Sequence, residues 1–218
     1  MRSITRAGWA VMTVLSTLIV LLVSRYVTFD PDTFFGVQRA TYLAHELPLG
    51  IHIFGAMVAL LLGPWQFSAR LRRRSPRSHR RIGRGYLLGC LVGGIGALLL
   101  APLAYGGPVA RLGFACLGVA WLVTGGTGLW MIRRGRVEDH RRWMVRSFAL
   151  TFAAVTLRLM LMAAQAAHLD FRTSYVVIAW LCWVPNLLLA CWFTRAHPAG
   201  QADRSLVRVK VGSGGEDL

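Results

Sequence analysis

No aspartate or glutamate lies inside any long apolar run of this 218-residue chain. The nine acids, Asp30, Asp32, Glu46, Glu138, Asp139, Asp170, Asp203, Glu216 and Asp217, fall between such runs or in the tail. Proton relays and ion-coupled carriers usually hold a carboxylate at membrane depth, so the sequence argues against that chemistry. Cysteine is scarce too. Cys90, Cys116, Cys182 and Cys191 all lie within apolar runs, so no disulfide framework is implied. The first apolar segment has no small-residue cleavage site. It runs into Val23-Ser24-Arg25-Tyr26 and reads as a retained helix. No polar stretch is long enough for a large soluble domain. The cytoplasmic-loop glycines lack the strand-loop-helix setting of a phosphate loop.

What is present is apolar. The chain is 55% hydrophobic and 16% charged, with a mean hydropathy of +0.50. Runs long enough to cross a bilayer occur at about 8–28, 48–69, 84–104, 111–132, 146–168 and 174–194. They predict an all-α polytopic integral membrane protein, with six transmembrane helices in one bundle over residues 1–194. The tail, 195–218, is predicted to be a disordered cytoplasmic segment. The net charge is +16, and its placement is telling. Six crossings put twenty of the 25 basic residues on one side, in the loops around 70–84 and 133–146 and in the terminal segments. That positive-inside pattern predicts cytoplasmic N- and C-termini in a bacterial inner membrane. The basic loops are short and tied to the bilayer at both ends. Their expected partners are anionic lipids at the cytoplasmic face rather than nucleic acid.

One basic residue, Arg158, stands apart, near the middle of the fifth run. A guanidinium does not shed its proton. At membrane depth it is costly and usually functional. Thr151, Arg158 and Gln165 follow at seven-residue steps from one another, which places them on one helical face. The second run has a narrow face of His52, Ala56, Ala59, Gly63 and Gln66. Facing each other, the two would leave room for a flat ligand or water. The plainer alternative has Thr and Gln joining helices, with Arg158 capping carbonyls freed at Pro64 and Pro185. Gly85, Gly89 and Gly93 repeat every four residues and predict close packing of the third and fourth spans.

The loops opening the third and fifth spans echo each other. One carries His79-Arg80-Arg81-Ile82-Gly83-Arg84, the other His140-Arg141-Arg142-Trp143-Met144-Val145-Arg146. His79 and His140 converge on one site if the helix pairs form an internal repeat. Otherwise Arg80, Arg81, Arg141 and Arg142 meet lipid headgroups, and Trp143 and Tyr86 join the interfacial aromatic belt.

The stretch from His52 through Gly63-Pro64-Trp65-Gln66-Phe67, with Ser75-Pro76-Arg77-Ser78-His79, resembles a family of uncharacterised predicted bacterial membrane proteins. His140-Arg141-Arg142-Trp143 through Arg158 resembles it too. That family is a domain of unknown function, so the resemblance implies a membrane fold and no activity. The same segments are more loosely similar to transmembrane ascorbate-dependent b-type di-haem cytochromes. This second likeness implies His52 and His79 as axial haem ligands. The chain departs from it at Gln66, fourteen residues after His52, where a second histidine would stand.

A b-type haem needs two imidazoles facing across a slot. His52 and His168 are the candidates at one end of the bundle, His79 and His140 at the other. Arg158 or the loop arginines would receive propionates. No metal other than haem iron is expected. A quinone could use the same seam. The leading expectation is therefore a membrane redox protein binding b-type haem or quinone. The alternatives are a non-enzymatic scaffold, an anionic-lipid-binding protein or a small transporter.

Overall fold

The computed structural model describes residues 5–195; the expected disordered tail, apart from Arg195, lies outside the described residues. In chain order the helices are α1 (Arg6–Ser24), α2 (Gly36–Leu43), α3 (Glu46–Leu62), α4 (Ala69–Arg74), α5 (Pro76–Leu100), α6 (Pro108–Arg133), α7 (Val137–Thr151), α8 (Ala153–Ala166), α9 (Phe171–Leu181) and α10 (Val184–Phe193). No strand forms among the described residues. Joined across short breaks, they give six segments long and apolar enough to cross a membrane: Arg6–Thr28, Glu46–Phe67, Pro76–Leu103, Pro108–Arg133, Val137–Ala166 and Phe171–Phe193. Their outward faces are strongly apolar. Phe54 is 68% exposed, Leu88 61% and Leu188 63%, as lipid-facing side chains would be.

The third and fifth spans start earlier than their apolar runs. Pro76 occupies the first turn of α5, where its missing N–H costs nothing, and the helix then continues through the arginines. Arginine is a good helix former, so charge ends the apolar run without ending the helix. Glu138 and Asp139 occupy the first turn of α7, where the helix dipole favours them. Each also pairs with an arginine three residues on: Glu138 with Arg141 and Asp139 with Arg142, both at 3.2 Å.

The first loop holds two short elements. Asp30 caps the single 3₁₀ turn Pro31–Thr33, accepting from Asp32 N at 3.0 Å. The surface helix α2 follows, and Glu46 begins α3. Later, Asp170 caps α9 by accepting from Thr173 N at 2.8 Å, and that bond holds its carboxyl below the usual range.

The glycine stripe serves a different neighbour from the one predicted. Its main partner is α3, and α3 against α5 is the most extensive helix contact in the molecule. A methyl at Gly89 would stand 2.8 Å from Ala59 N, and one at Gly93 2.8 Å from Ala56 N. Gly94 and Gly118, on other faces, admit Leu122 and Leu98 at the α5–α6 contact. Small residues let backbones approach where lipid supplies no hydrophobic drive.

The second span ends in the 3₁₀ turn Pro64–Phe67, and two further spans are interrupted between α-helices. The fifth breaks at Phe152, between α7 and α8, and the sixth at Cys182–Trp183, between α9 and α10. Carbonyls near the proline breaks find local donors. Pro64 O accepts from Trp9 Nε1 at 2.9 Å. Cys182 O accepts from Thr156 Oγ1 at 2.6 Å and Asn186 Nδ2 at 3.0 Å. Arg158 bonds to neither of these oxygens.

Candidate functional site

Arg158 lies on α8, six residues past the break, and its Nη1 donates to Ala154 O at 2.9 Å. Among the described residues the guanidinium makes no other hydrogen bond and no ion pair. It lines a cavity of about 270 Å³ whose walls come chiefly from α1, α3, α6 and α8, with α2, α5, α7 and α9 contributing one or two residues each. The walls are apolar except for a few groups that share the cavity with Arg158. These are His52 from α3, Tyr175 from α9, Thr151 from α7, Gln38 and Tyr42 from α2, and Tyr26. This is the composition of a small-molecule pocket: apolar walls with a few placed polar groups.

His52 is oriented by the glycine stripe. Its Nδ1 lies 2.9 Å from Gly93 O. A carbonyl only accepts, so Nδ1 carries the proton and Nε2 keeps a lone pair. The close approach of α3 and α5 makes that bond reachable. A methyl at Gly96 would stand 2.7 Å from His52 Cα. One cavity thus holds a strong donor, Arg158, and a histidine with its acceptor nitrogen free.

The floor is a buried hydroxyl network. Tyr86 OH lies 2.9 Å from both Ser147 Oγ and Thr151 Oγ1. Trp121 Nε1 donates to Thr151 Oγ1 at 2.9 Å, and Thr151 Oγ1 donates to Ser147 O at 3.1 Å. Tyr86, 1% exposed, is therefore a core residue and not part of an interfacial belt. Thr151→Val leaves the Trp121 N–H buried without an acceptor. It is expected to cost about 1–3 kcal/mol, read as a lowered unfolding temperature in detergent.

The roof comes from the first loop. Tyr26 stacks on Phe34 with centroids 5.3 Å apart, and Phe34 meets Tyr42 edge-on at 5.6 Å. Sequence reasoning missed Tyr26, Gln38, Tyr42 and Tyr175. The one available signal was the amphipathic stretch around α2, with aromatic and polar residues on one face.

The other expected seam residues are placed elsewhere. Gln165 and His168 are exposed, near the end of α8. His168 adopts a left-handed φ of 53°, and Leu169 N bonds back to Ala164 O at 3.0 Å, so this residue terminates the helix. It does not face His52 across the cavity. Gln66 lies in the 3₁₀ turn Pro64–Phe67 beside Gly83, and its Nε2 is buried without a partner. The second and fifth spans do meet, where Gly63 packs against the Phe148 ring.

His79 and His140 are half-buried at the end of the bundle near the arginine-rich loops, and His140 is close enough for its charge to bear on His79. His140 Nδ1 lies 2.8 Å from Gly128 O and must donate to it. His79 Nδ1 is buried with no partner. Of the expected headgroup arginines, Arg80 and Arg81 are exposed, while Arg141 and Arg142 also pair with Glu138 and Asp139. Among the described residues no group of three or more His, Cys, Asp or Glu side chains is arranged to hold a metal ion.

The family described as "Predicted membrane protein (DUF2306)" matches residues 49–194. The match takes in His52, His79, His140 and Arg158, and leaves α1 and α2 outside. No curated protein and no solved structure matches the chain.

Proposed function

We propose that this chain, which belongs to the DUF2306 family of predicted membrane proteins, is a redox protein whose cavity binds the ring of a lipophilic quinone or quinol. The observation that carries the reading is Arg158, with one N–H on Ala154 O and the rest of its guanidinium beside a cavity it shares with His52. A quinone ring is flat and apolar, with oxygens at opposite ends. Arg158 donates to one oxygen, a strong charge-assisted bond. At the other end, the His52 Nε2 lone pair accepts from a hydroxyl once the ring is reduced. The Tyr42 and Tyr175 hydroxyls are further donors. Apolar walls suit the ring faces.

A b-type haem is the second reading, favoured by the same free Nε2, the nitrogen an axial ligand needs. His52 would hold the iron and Arg158 a propionate, and the group would supply one-electron chemistry. Among the described residues no second histidine lines this cavity, so quinone fits it better. The charge asymmetry supports an orientation with both termini cytoplasmic in a bacterial inner membrane, with the basic loops against anionic lipid.

The test is titration of purified protein with a short-chain quinone analogue, followed by tryptophan fluorescence, since Trp121 lines the cavity. Saturable quenching is expected. His52→Ala should weaken binding of the reduced, quinol form of the analogue about tenfold, the loss of one good hydrogen bond. Leu88→Ala, on an exposed face, should not. Absence of saturable binding in the wild type ends the quinone reading. A colourless preparation that stays colourless after haem addition ends the haem reading.

A further inference from the structure

The opposite end of the bundle holds a second concentration of unmet hydrogen-bonding and charge. Arg72, on α4, reaches back to donate from Nη1 to Gln66 O at 2.8 Å. This fastens the short α4 against the 3₁₀ turn that ends the second span. The Gln66 amide lies against α5, its Oε1 3.1 Å from where a methyl on Gly83 would sit. Its Nε2 is buried without a partner, as is His79 Nδ1, one turn before Gly83 on the same helix. An orphaned N–H costs more than an orphaned lone pair, so a neutral His79 ring keeps its proton on Nε2 and is a donor there. Ser75 and Ser78 mark the elbow between α4 and α5, with their hydroxyls 2.7 Å apart.

The charges around this elbow have one sign. Arg72, Arg80 and His140 all bear on His79, and Arg141 and Arg73 bear on Arg72. The carboxylates at this end, Glu138 and Asp139, already pair with Arg136, Arg141 and Arg142. Among the described residues Arg72, Arg73 and Arg80 have no carboxylate partner. Like charges held together repel unless an anion bridges them. α5 begins at Pro76 and points its N-terminus, the positive end of its dipole, at the same place.

We propose that the junction of the α4–α5 elbow with the start of α7 binds a phosphate-type oxyanion, held by Arg72 and His79 and flanked by His140 and Arg80. Arg72 offers a planar fork suited to two phosphate oxygens, and His79 a single donor. The site sits at the membrane surface, so the phosphate is that of a phospholipid headgroup or a free phosphate. The inference is independent of the quinone reading and concerns the other end of the molecule.

The experiment uses the full chain in nanodiscs. One arm compares phosphatidylcholine discs with discs containing phosphatidylglycerol and counts retained phosphatidylglycerol by native mass spectrometry. The other titrates inorganic phosphate into phosphatidylcholine discs and follows the unfolding temperature. Preferential retention of phosphatidylglycerol that falls about tenfold in both R72Q and H79Q supports the site with a headgroup as its ligand. Phosphate-dependent stabilisation in the wild type, absent from both variants, supports it with free phosphate. The control is R133Q/R134Q, which removes two exposed charges at the end of α6. The proposal is overturned if the wild type responds to neither probe, or if the control loses as much as R72Q and H79Q.

Discussion

Arg158→Met is expected to raise the unfolding temperature while removing affinity for a quinone analogue. The two effects have one origin. Among the described residues the guanidinium makes a single hydrogen bond, to Ala154 O. Burying an arginine in a membrane helix costs about 2.5–3.5 kcal/mol on insertion scales, and methionine, of similar length and flexible, avoids that cost. A gain of about 2 kcal/mol is the expected net result, because the cavity already accommodates the side chain and Ala154 O loses only one donor. Binding should fall roughly ten- to hundredfold, the worth of a charge-assisted hydrogen bond. Arg158→Lys keeps the charge without the fork and should fall between. If Arg158→Met instead lowered stability and left binding unchanged, the arginine would be a structural strut and the cavity would need another ligand.

Gly55→Ala should be the most damaging single methyl in the molecule. The added carbon would meet Gly93 N on the facing helix. It would also stand 2.6 Å from Gly93 Cα and 2.8 Å from Gly89 O. All three are backbone atoms, so no side chain can swing away. α3 and α5 would have to separate, and His52 would lose its hold on Gly93 O. A loss of about 3 kcal/mol is expected, at the upper end for overpacking, together with weakened analogue binding. Gly126→Ala is the matched control. Nothing lies within 4 Å of the added carbon there, and replacing a helical glycine should stabilise by about 0.5–1 kcal/mol. Thermal unfolding of both variants in one detergent makes the comparison. Equal effects would mean that the α3–α5 contact is looser than its geometry implies.

Much of the site was legible in one dimension because membrane helices obey simple rules. Arg158 was conspicuous through the energy of charge in hydrocarbon, which depends on depth and hardly on neighbours. The seven-residue step correctly put Thr151 and Arg158 on one side. It failed at Gln165, the next step, because α8 ends at Ala166 and its last turn emerges from the bundle. Periodicity assigns a face relative to a helix's own axis. Whether that face is covered at a given height depends on what stands beside it. His168 failed for a related reason: spacing placed it near His52 in depth, but its backbone serves to end a helix.

Six apolar spans, an uneven distribution of charge and one arginine stranded among apolar residues are all written in the linear chain, because length, hydropathy and charge are local properties that the bilayer reads directly. Packing in three dimensions set which helix the glycine stripe meets, brought α2 over the cavity with Gln38 and Tyr42, and joined Tyr86 to Thr151 under its floor. Those outcomes depend on contacts between residues far apart in the chain. Helix packing resolves them through shape, and shape has no signature in the spacing of residues along a single helix.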